Sequence, residues 1–270
     1  MRIYAIAVFL FLYIPIGIIV LFSFNAGRHA SELRGLSVQW YSKALSNPFV
    51  SDAFFTSLII ALSVAVLSTL LGTTAALALQ RLKGPLRTFF DGMIYVSVMV
   101  PGIVIGIATL VALVTVFDFL NPLLASLWPE GMKPPKLHMG YASVIAAHTL
   151  FTMSMVIILV RARISGMDRT LIEASLDLYA TPWRTFYQVT LPQIFPAILA
   201  GFLLSFTFSF DDFIISFFVA GPNTTLPIYI FSSIRRGITP EVNAIGTMVL
   251  ITSLIILMAA QYALHRRDIR

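Results

Sequence analysis

Six long runs of apolar residues constrain this chain more than any other feature of its sequence. They occupy residues 3–24, 53–79, 92–117, 141–160, 197–219 and 244–264. Each is near or above the roughly 20 residues that a helix needs to cross the hydrocarbon core of a bilayer. Charged residues make up only 11% of the chain, less than half the share of about 25% in a typical soluble domain. The pattern therefore predicts an all-α membrane protein with six transmembrane helices, and it excludes an ordinary soluble enzyme and a disordered chain.

The placement of charge orients these helices. If successive loops alternate between the two sides, 11 of the 18 Lys and Arg residues lie on the side of the N-terminus. An excess of Lys and Arg marks cytoplasmic loops, so we predict that both termini are cytoplasmic. The same placement explains the net charge of +6 without a nucleic-acid partner. The first run is longer than the core of a signal peptide and no A-x-A-like site follows it, so we expect a retained helix.

The cytoplasmic loop at residues 161–192, called the coupling loop below, contains two short helix patterns. Asp168 is a candidate N-cap for the first, and an apolar stripe follows it. Thr181 and Pro182 form a second start signal, and Pro192 is expected to end that helix. Both patterns are too short to span a bilayer. Two interpretations stay open: a surface helix pair packed on the membrane face, or a docking element for a cytoplasmic partner.

This loop resembles the E-A-A loop in the permease subunits of ABC importers. The resemblance rests on Glu173, Ala174, Ser175, Leu178, Tyr179, Ala180, Leu191 and Pro192, with Asp177 among them. It implies a type I ABC importer permease fold, in which these residues form coupling helices that sit in a groove on a separate ATPase subunit. The chain has Ser175 where the family usually has alanine, and Tyr179 where it usually has glycine. Tyrosine adopts a left-handed turn only at a cost, so either the turn has another geometry or Tyr179 contacts the ATPase.

Two adjacent carboxylates, Asp211 and Asp212, lie inside the fifth apolar run. Each costs about 2.5–3.5 kcal/mol at a helix centre on insertion scales, and such groups usually face a bundle interior or a water-filled path. Neighbours on a helix point about 100° apart. One could line a path while the other binds a neighbouring helix, or the two could be a structural pair in which Asp212 caps or bridges to another span. His148, in the fourth run, is expected to be packed or pore-facing rather than catalytic.

The fifth run and its surroundings resemble the polyamine branch of these permeases, in particular the C-type permease of spermidine/putrescine importers. The matching positions are the acidic pair, Gly221-Pro222, Leu226-Pro227, Arg236-Gly237, Pro240-Glu241, Asn243-Ala244, Tyr13, Pro15 and Ser23-Phe24-Asn25. The resemblance, with the preference of ammonium groups for carboxylates and aromatic faces, implies a substrate path that includes Asp211, Asp212, Trp40, Pro101, Gly102 and Phe210. Polyamine permeases commonly carry an acidic residue where this chain has Gly102. Pro101-Gly102 is still expected to break the third helix and expose backbone carbonyls to the path.

The resemblance implies a membrane-spanning subunit of an ATP-driven importer for a polyamine or related cation. The expected partners are a second homologous permease, two copies of a cytoplasmic ATPase, an extracytoplasmic solute-binding protein and membrane lipid. No phosphate-binding loop of the G-x-x-x-x-G-K-[ST] type occurs, so ATP and Mg are expected on the ATPase, with no cofactor, metal or catalytic site in this chain. We expect one permease domain over residues 1–270, with the coupling loop inside it, in the inner membrane of a bacterium.

Alternatives remain at this stage. The cargo could be another small amine, an amino acid or an opine-like solute. A stand-alone secondary transporter could instead use Asp211 or Asp212 as a proton carrier, although no repeated half is visible in the sequence. A membrane enzyme or a structural assembly subunit is disfavoured because no paired catalytic constellation occurs.

Overall fold

The computed structural model describes residues 2–28, 32–129, 131–168, 170–237 and 239–268. Within these segments the chain is helical, apart from turns, loops and an isolated bridge between Asn25 and Leu36. The helices are α1 (Arg2–Ser23), α2 (Gln39–Ser46), α3 (Pro48–Leu79), α4 (Pro85–Met99), α5 (Gly102–Leu127), α6 (Tyr141–Ser165), α7 (Thr170–Asp177), α8 (Pro182–Thr185), α9 (Leu191–Asp211), α10 (Ile214–Val219), α11 (Leu226–Arg236) and α12 (Pro240–Asp268). A π-helical turn, Phe186–Thr190, joins α8 to α9.

Helices long and apolar enough to cross a membrane correspond to the first five apolar runs. Among the described residues these segments are Tyr4–Ser23, Pro48–Leu79, Gly102–Leu127, Tyr141–Ser165 and Pro182–Asp211. The sixth run falls in α12, of which Pro240–Ile255 is a shorter apolar stretch. The all-helical membrane class is therefore confirmed.

The third and fifth runs are both interrupted. The third is split at Pro101, as predicted, because α4 ends at Met99 and α5 begins at Gly102. The fifth does not reach residue 219 as one helix, since α9 ends at Asp211 and α10 begins only at Ile214. The apolar run continues through this break, so hydropathy alone could not reveal it.

Pro192 does not end a helix, contrary to the sequence-based prediction. It lies in the first turn of α9, where a missing N–H and a fixed φ are tolerated. The π-helical turn just before it widens the backbone. The side-chain amide of Gln193 donates to the Val189 carbonyl in that turn at 3.2 Å. Helical structure consequently continues from Pro182 to Asp211 over 30 residues.

The described contacts group into two compact units. The first comprises Met1–Phe55 and Leu226–Arg270, in which α12 packs on α1 and α2. There the carboxylate of Glu241 pairs with Lys43 at 3.6 Å and accepts from the Asn47 amide at 3.1 Å. The single domain expected over residues 1–270 stays a prediction.

The second unit, Thr56–Thr225, is organised around α6. This helix packs against α9, α4, α10 and α5, and Thr152 lies 2.6 Å from Ser68 of α3. Val156 of α6 packs between two glycines: a Cβ at Gly72 of α3 would lie 2.8 Å from it, and one at Gly201 of α9 would lie 3.2 Å away. Small residues let helix backbones approach closely in membranes. All of α9, α10 and the coupling loop belong to this unit.

Candidate functional site

The acidic pair lies at the break between α9 and α10. Asp211 is the last residue of α9, and Asp212 leaves the helix with φ −71° and ψ 120°. The expectation of two helical neighbours about 100° apart therefore does not apply, because Asp212 is extended. Asp211 as a residue is exposed on this chain, whereas Asp212 is half-buried and its side chain is 18% exposed. The break gives two adjacent carboxylates different surroundings.

Asp212 is held by two other helices. Its Oδ2 accepts from the backbone N–H of Ser216 in α10 at 2.9 Å. The same oxygen lies 3.2 Å from Nε2 of His148 in α6, whose side chain is 2% exposed. The interpretation of Asp212 as a capping and bridging carboxylate agrees with this geometry.

His148 is packed, one of the two placements that its sequence context allowed, but it is not isolated. Ser209 of α9 has its hydroxyl 2.8 Å from the ring Nδ1, and Ser216 of α10 has its hydroxyl 3.2 Å from Nε2. Together with Asp212 these contacts tie α6, α9 and α10 to one imidazole. The partners are 61 and 68 residues away in the chain for the two serines, which is why the local sequence gave no sign of them.

Phe210 precedes the acidic pair and is buried at 8% exposure. Its ring stacks on Phe206 one turn earlier, with 5.8 Å between ring centroids and 18° between planes. Burial in this chain leaves little ring face for a passing solute. A direct contact between Phe210 and substrate stays a prediction.

Pro101 and Gly102 form the break between α4 and α5. Pro101 has φ −56° and ψ 137°, and its carbonyl accepts from the N–H groups of Val104 and Ile105 at 2.9 and 3.2 Å. That carbonyl therefore begins α5 and is already bonded. Proline has no N–H, so the carbonyl of Ser97 lacks the donor that a continuous helix would supply. The exposure of backbone carbonyls to a substrate path at Pro101-Gly102 stays a prediction, and in this geometry Ser97 rather than Pro101 would supply such a carbonyl.

Trp40 lies in the other unit, on α2. Its indole Nε1 donates to the Asn25 carbonyl at 2.8 Å, and the ring is 7% exposed. The ammonium of Lys43 sits 4.8 Å from the ring centroid. The indole is thus hydrogen-bonded to the segment that follows α1, and its aromatic face is already covered by the ammonium group of Lys43. A role for Trp40 in the substrate path stays a prediction.

The coupling loop forms the two short helices expected of it, α7 and α8, joined by a left-handed turn. Tyr179 has φ +57°, the only non-glycine residue with positive φ in the described segments. The Tyr179 N–H donates to the Leu176 carbonyl at 2.9 Å, and the Ala180 N–H donates to the Ser175 carbonyl at 3.1 Å. This is the bonding of a Schellman motif, which normally places glycine at the left-handed position. The turn therefore keeps the geometry that suits glycine, with tyrosine in its place.

The start signals of both short helices are confirmed. Asp168 accepts from the backbone N–H and the hydroxyl of Thr170 at 2.9 and 2.8 Å, and these bonds lower the pKa of its carboxyl. Thr181 accepts from the Arg184 N–H ahead of Pro182. The residue between Asp168 and Thr170 lies outside the described segments.

Ser175 and Thr185 connect the two short helices. Their hydroxyl oxygens lie 2.9 Å apart, and Thr185 is buried. The serine that stands where related loops carry alanine thus has a partner in this chain. Glu173, Ala174 and Asp177 are exposed on α7.

An aromatic and aliphatic surface lies beside these exposed residues. Tyr179 is 96% exposed, Leu178 82% and Trp183 69%. Trp183 stacks on Phe186 at 5.8 Å between centroids, and its edge contacts Tyr187 at 5.2 Å. Large exposed apolar patches mark interaction sites, and this set, Leu178, Tyr179, Trp183 and Tyr187, is called the docking surface below.

Two arginines fix the base of the coupling loop. Arg161 of α6 pairs with Asp91 of α4, and Arg163 donates through Nε to the Gln193 carbonyl of α9 at 2.8 Å. The hydrogen bond from Arg161, with the charges of Arg161 and Arg87, lowers the pKa of Asp91, so this carboxylate is ionised at neutral pH. The ends of α6 and α9 that flank the loop are thereby joined to their neighbours.

Comparison with known families identifies the chain. Residues 68–270 match the family described as "Binding-protein-dependent transport system inner membrane component". The chain belongs to this family. It is therefore a multi-pass inner-membrane subunit of a transport system, and we call it the permease below.

Two curated relatives from Escherichia coli (strain K12) resemble the permease over nearly its whole length. The putrescine transport system permease protein PotI is 35% identical over 263 residues, covering 96% of this chain and 89% of that protein. The spermidine/putrescine transport system permease protein PotC is 35% identical over 256 residues, covering 94% and 90%. The similarity confirms the resemblance inferred from the sequence motifs.

The fold has a counterpart among solved structures. A bacterial ABC transporter involved in the import of the acidic polysaccharide alginate superposes with a TM-score of 0.77, at 16% sequence identity, over 98% of this chain and 94% of that chain. At this identity the likeness concerns the fold alone. It supports the type I ABC importer permease architecture.

Sequence reasoning missed two residues of the site, Ser209 and Ser216, and with them the contacts that His148 makes. The spacing of Ser209, Asp212 and Ser216, three and then four residues apart, was a usable signal of a shared polar face. In the described part of the permease no group of three or more His, Cys, Asp or Glu is arranged to hold a metal ion.

Proposed function

We propose that the permease forms half of the translocation path for a polyamine or related cationic solute in an ATP-driven importer. The observation that carries the proposal is Asp211, a carboxylate exposed at a helix break inside an apolar segment, beside a second carboxylate that is already held. An ammonium group that binds there would compensate the charge of the carboxylate, which is energetically costly at membrane depth when it is unpaired. The names of the curated relatives support the same class of cargo.

The proposed partners follow the family. A solute-binding protein would deliver the cargo to the outer loops, in line with the family description. A second homologous permease would complete the path, two copies of a cytoplasmic ATPase would bind ATP and Mg, and lipid would surround the apolar helices. ATP hydrolysis is placed on the separate ATPase, and this chain is proposed to bind neither nucleotide nor nucleic acid.

The ATPase is proposed to hold the coupling loop through the docking surface and the neighbouring Glu173, Ala174, Ser175 and Asp177. Ala180, Leu191 and Pro192 would act by shaping the loop rather than by direct contact. Exposed apolar and aromatic side chains beside acidic ones suit a groove with an apolar floor and a basic rim. The exposure of Leu178, Tyr179 and Trp183 supports this assignment.

A continuous helical segment connects the docking surface to the acidic pair. It begins at Pro182 in the coupling loop and ends at Asp211 after 30 residues, a length of about 45 Å at 1.5 Å per residue. ATP-driven closure of the ATPase would move the loop end of this segment. The other end would move the α9–α10 break, and with it the carboxylate of Asp211, between outward-open and inward-open states.

Asp211→Asn tests the cargo and the site together. In the assembled transporter with its binding protein, we expect the maximal uptake rate of a labelled polyamine to fall about tenfold, the equivalent of roughly 1.4 kcal/mol. Asp211→Glu is the matched control, because it keeps the charge and should retain most of the uptake. Unchanged uptake in the asparagine variant would favour a purely structural acidic pair.

The alternative of a stand-alone proton-coupled transporter requires a separate experiment. Vesicles that contain this chain alone, with an imposed proton gradient, should show no uptake of a polyamine, an amino acid or an opine. Uptake under those conditions would overturn the ATP-driven proposal. Uptake of an amino acid or an opine, but no polyamine, by the complete transporter would change only the cargo.

A further inference from the structure

His148 occupies the point where three helices of one compact unit meet. Its side chain is 2% exposed, and its two ring nitrogens contact Ser209 of α9, Ser216 of α10 and Asp212 between them. Ionisable side chains inside a membrane protein are expensive and seldom serve as filling. The proposed transport cycle assigns no role to His148.

The two ring nitrogens of His148 contact different helices. Nδ1 meets a hydroxyl at 2.8 Å, a contact that joins α6 to α9. Nε2 lies 3.2 Å from Oδ2 of Asp212 and 3.2 Å from the hydroxyl of Ser216, so this nitrogen contacts both polar groups of the α9–α10 break. The contact with Asp212 joins α6 to the C-cap residue of α9.

Asp212 is the residue whose backbone breaks the helix. It has ψ 120° although Phe213 after it is again helical, with φ −96° and ψ −41°. The surrounding sequence is apolar and would otherwise continue as one span to residue 219. The carboxylate of Asp212 holds the extended conformation through the Ser216 N–H on one side and His148 on the other.

We propose that His148 is a positioning residue of the translocation path, which pins Asp212 in the α9–α10 break and thereby turns the neighbouring Asp211 toward water. The two carboxylates then have different roles: Asp212 is bonded within the protein, and Asp211 binds the cargo. This inference rests on the proposed function only for the identity of that cargo. Without the imidazole, the break straightens into a continuous helix and position 211 withdraws from the aqueous path.

The lack of cysteine in the permease permits a direct test without any cargo. In Asp211→Cys, the new thiol is the only one on this chain, and its rate of reaction with a cationic, membrane-impermeant thiosulfonate reports whether position 211 faces water. The rate is measured on the assembled transporter in membranes and normalised to the amount of assembled complex, so that a loss of folding is counted separately.

Two substitutions of His148, each combined with Asp211→Cys, separate its two contacts. The amide of asparagine overlies Nδ1 and can reach only Ser209, whereas the longer glutamine overlies Nε2 and can reach Asp212. We expect His148→Asn to lower the labelling rate of the introduced thiol about tenfold, because the shorter side chain loses the contact with the Asp212 carboxylate. His148→Gln should keep the rate within about twofold of the histidine background, since the longer side chain again reaches the Asp212 carboxylate.

Three results would overturn the proposal: equal rates in all three backgrounds, an equal fall in both variants, or an introduced thiol that does not react even beside His148. The cargo is tested separately, by polyamine uptake in the transporter with Asp211 intact. A transporter that takes up no polyamine but shows the expected labelling pattern would refute the proposed cargo and leave the role of His148 standing.

Discussion

At the scale of single residues, the turn between α7 and α8 places a tyrosine where the backbone favours glycine. The left-handed conformation costs an L-residue roughly 1–2 kcal/mol, and Tyr179 is 96% exposed, so packing within this chain does not offset that cost. Strain of this kind persists at sites where it serves a contact. The structure shows that the turn geometry is the left-handed one, and a contact of the aromatic ring with the ATPase stays a prediction.

The strain at Tyr179 can be measured by replacing it. Asparagine tolerates the left-handed region and valine does not, so Tyr179→Asn should keep the Schellman turn and Tyr179→Val should loosen it. We expect amide exchange in the peptide over residues 170–185 to rise about tenfold in the valine variant, for a loss of roughly 1.4 kcal/mol. Hydrogen exchange with mass spectrometry checks this, and equal exchange in the two variants would mean that the turn does not depend on this conformation.

At the scale of helices, close packing around Val156 holds the central part of the second unit. A Cβ added at Gly72 would lie 2.8 Å from Val156 and 3.1 Å from the Met153 carbonyl. One added at Gly92 of α4 would meet nothing within 4 Å. The same chemical change should therefore be destabilising at Gly72 and tolerated at Gly92.

Gly72→Ala should destabilise the permease by about 1–3 kcal/mol, the usual effect of overpacking a core. Gly92→Ala is the matched control and should have no such effect, because it removes only backbone freedom from a helix. The measurement is the thermal unfolding midpoint of the purified transporter in detergent. A second change, Val156→Ala, should recover part of the loss in the Gly72 variant, and an unaltered midpoint in that variant would contradict close packing of α3 on α6.

The helices show what could be predicted from the sequence and what could not. The membrane spans follow from the length of the apolar runs, and the break at Pro101 follows from its missing N–H, so both could be predicted from the sequence. The break at Asp212 was not, because its carboxylate contacts His148 in a different span and the Ser216 N–H of α10, and neither contact can be read from the sequence. The continuation of the helix through Pro192 was not predicted for a similar reason. A π-helical turn before Pro192 accommodates its ring, and no residue pattern in the sequence indicates that turn.

Site residues divide in the same way. The coupling loop was recognisable because its motif is contiguous, and its caps at Asp168 and Thr181 are local interactions. Asp211 and Asp212 were conspicuous as charges in an apolar run. Their different environments, by contrast, arise from tertiary contacts that only the folded chain displays.

At the scale of the whole molecule, the coupling loop and the acidic pair lie in one compact unit, Thr56–Thr225. The helical segment from Pro182 to Asp211 has the docking surface at one end and the acidic pair at the other. A change at the cytoplasmic end should therefore alter transport while leaving the path residues in place.

Glu173→Lys tests this connection. The lysine would reverse the charge of an exposed α7 side chain, so we expect ATP hydrolysis stimulated by the loaded binding protein to fall about tenfold, or roughly 1.4 kcal/mol of lost interaction. Membrane insertion should be unaffected, because the position lies outside every span. Lys83→Glu is the matched control: it reverses a charge at an exposed residue of the predicted cytoplasmic loop between α3 and α4, outside the coupling loop, and should leave stimulation nearly unchanged.

The two readouts together decide the role of the coupling loop. If Glu173→Lys copurifies with less ATPase, the side chain contributes to docking. If ATPase binding is normal but stimulation is lost, it contributes to transmission along the helical segment that ends at Asp211. Normal binding together with normal stimulation would remove Glu173 from the proposed interface, and the docking surface formed by Leu178, Tyr179, Trp183 and Tyr187 would then have to hold the ATPase without it.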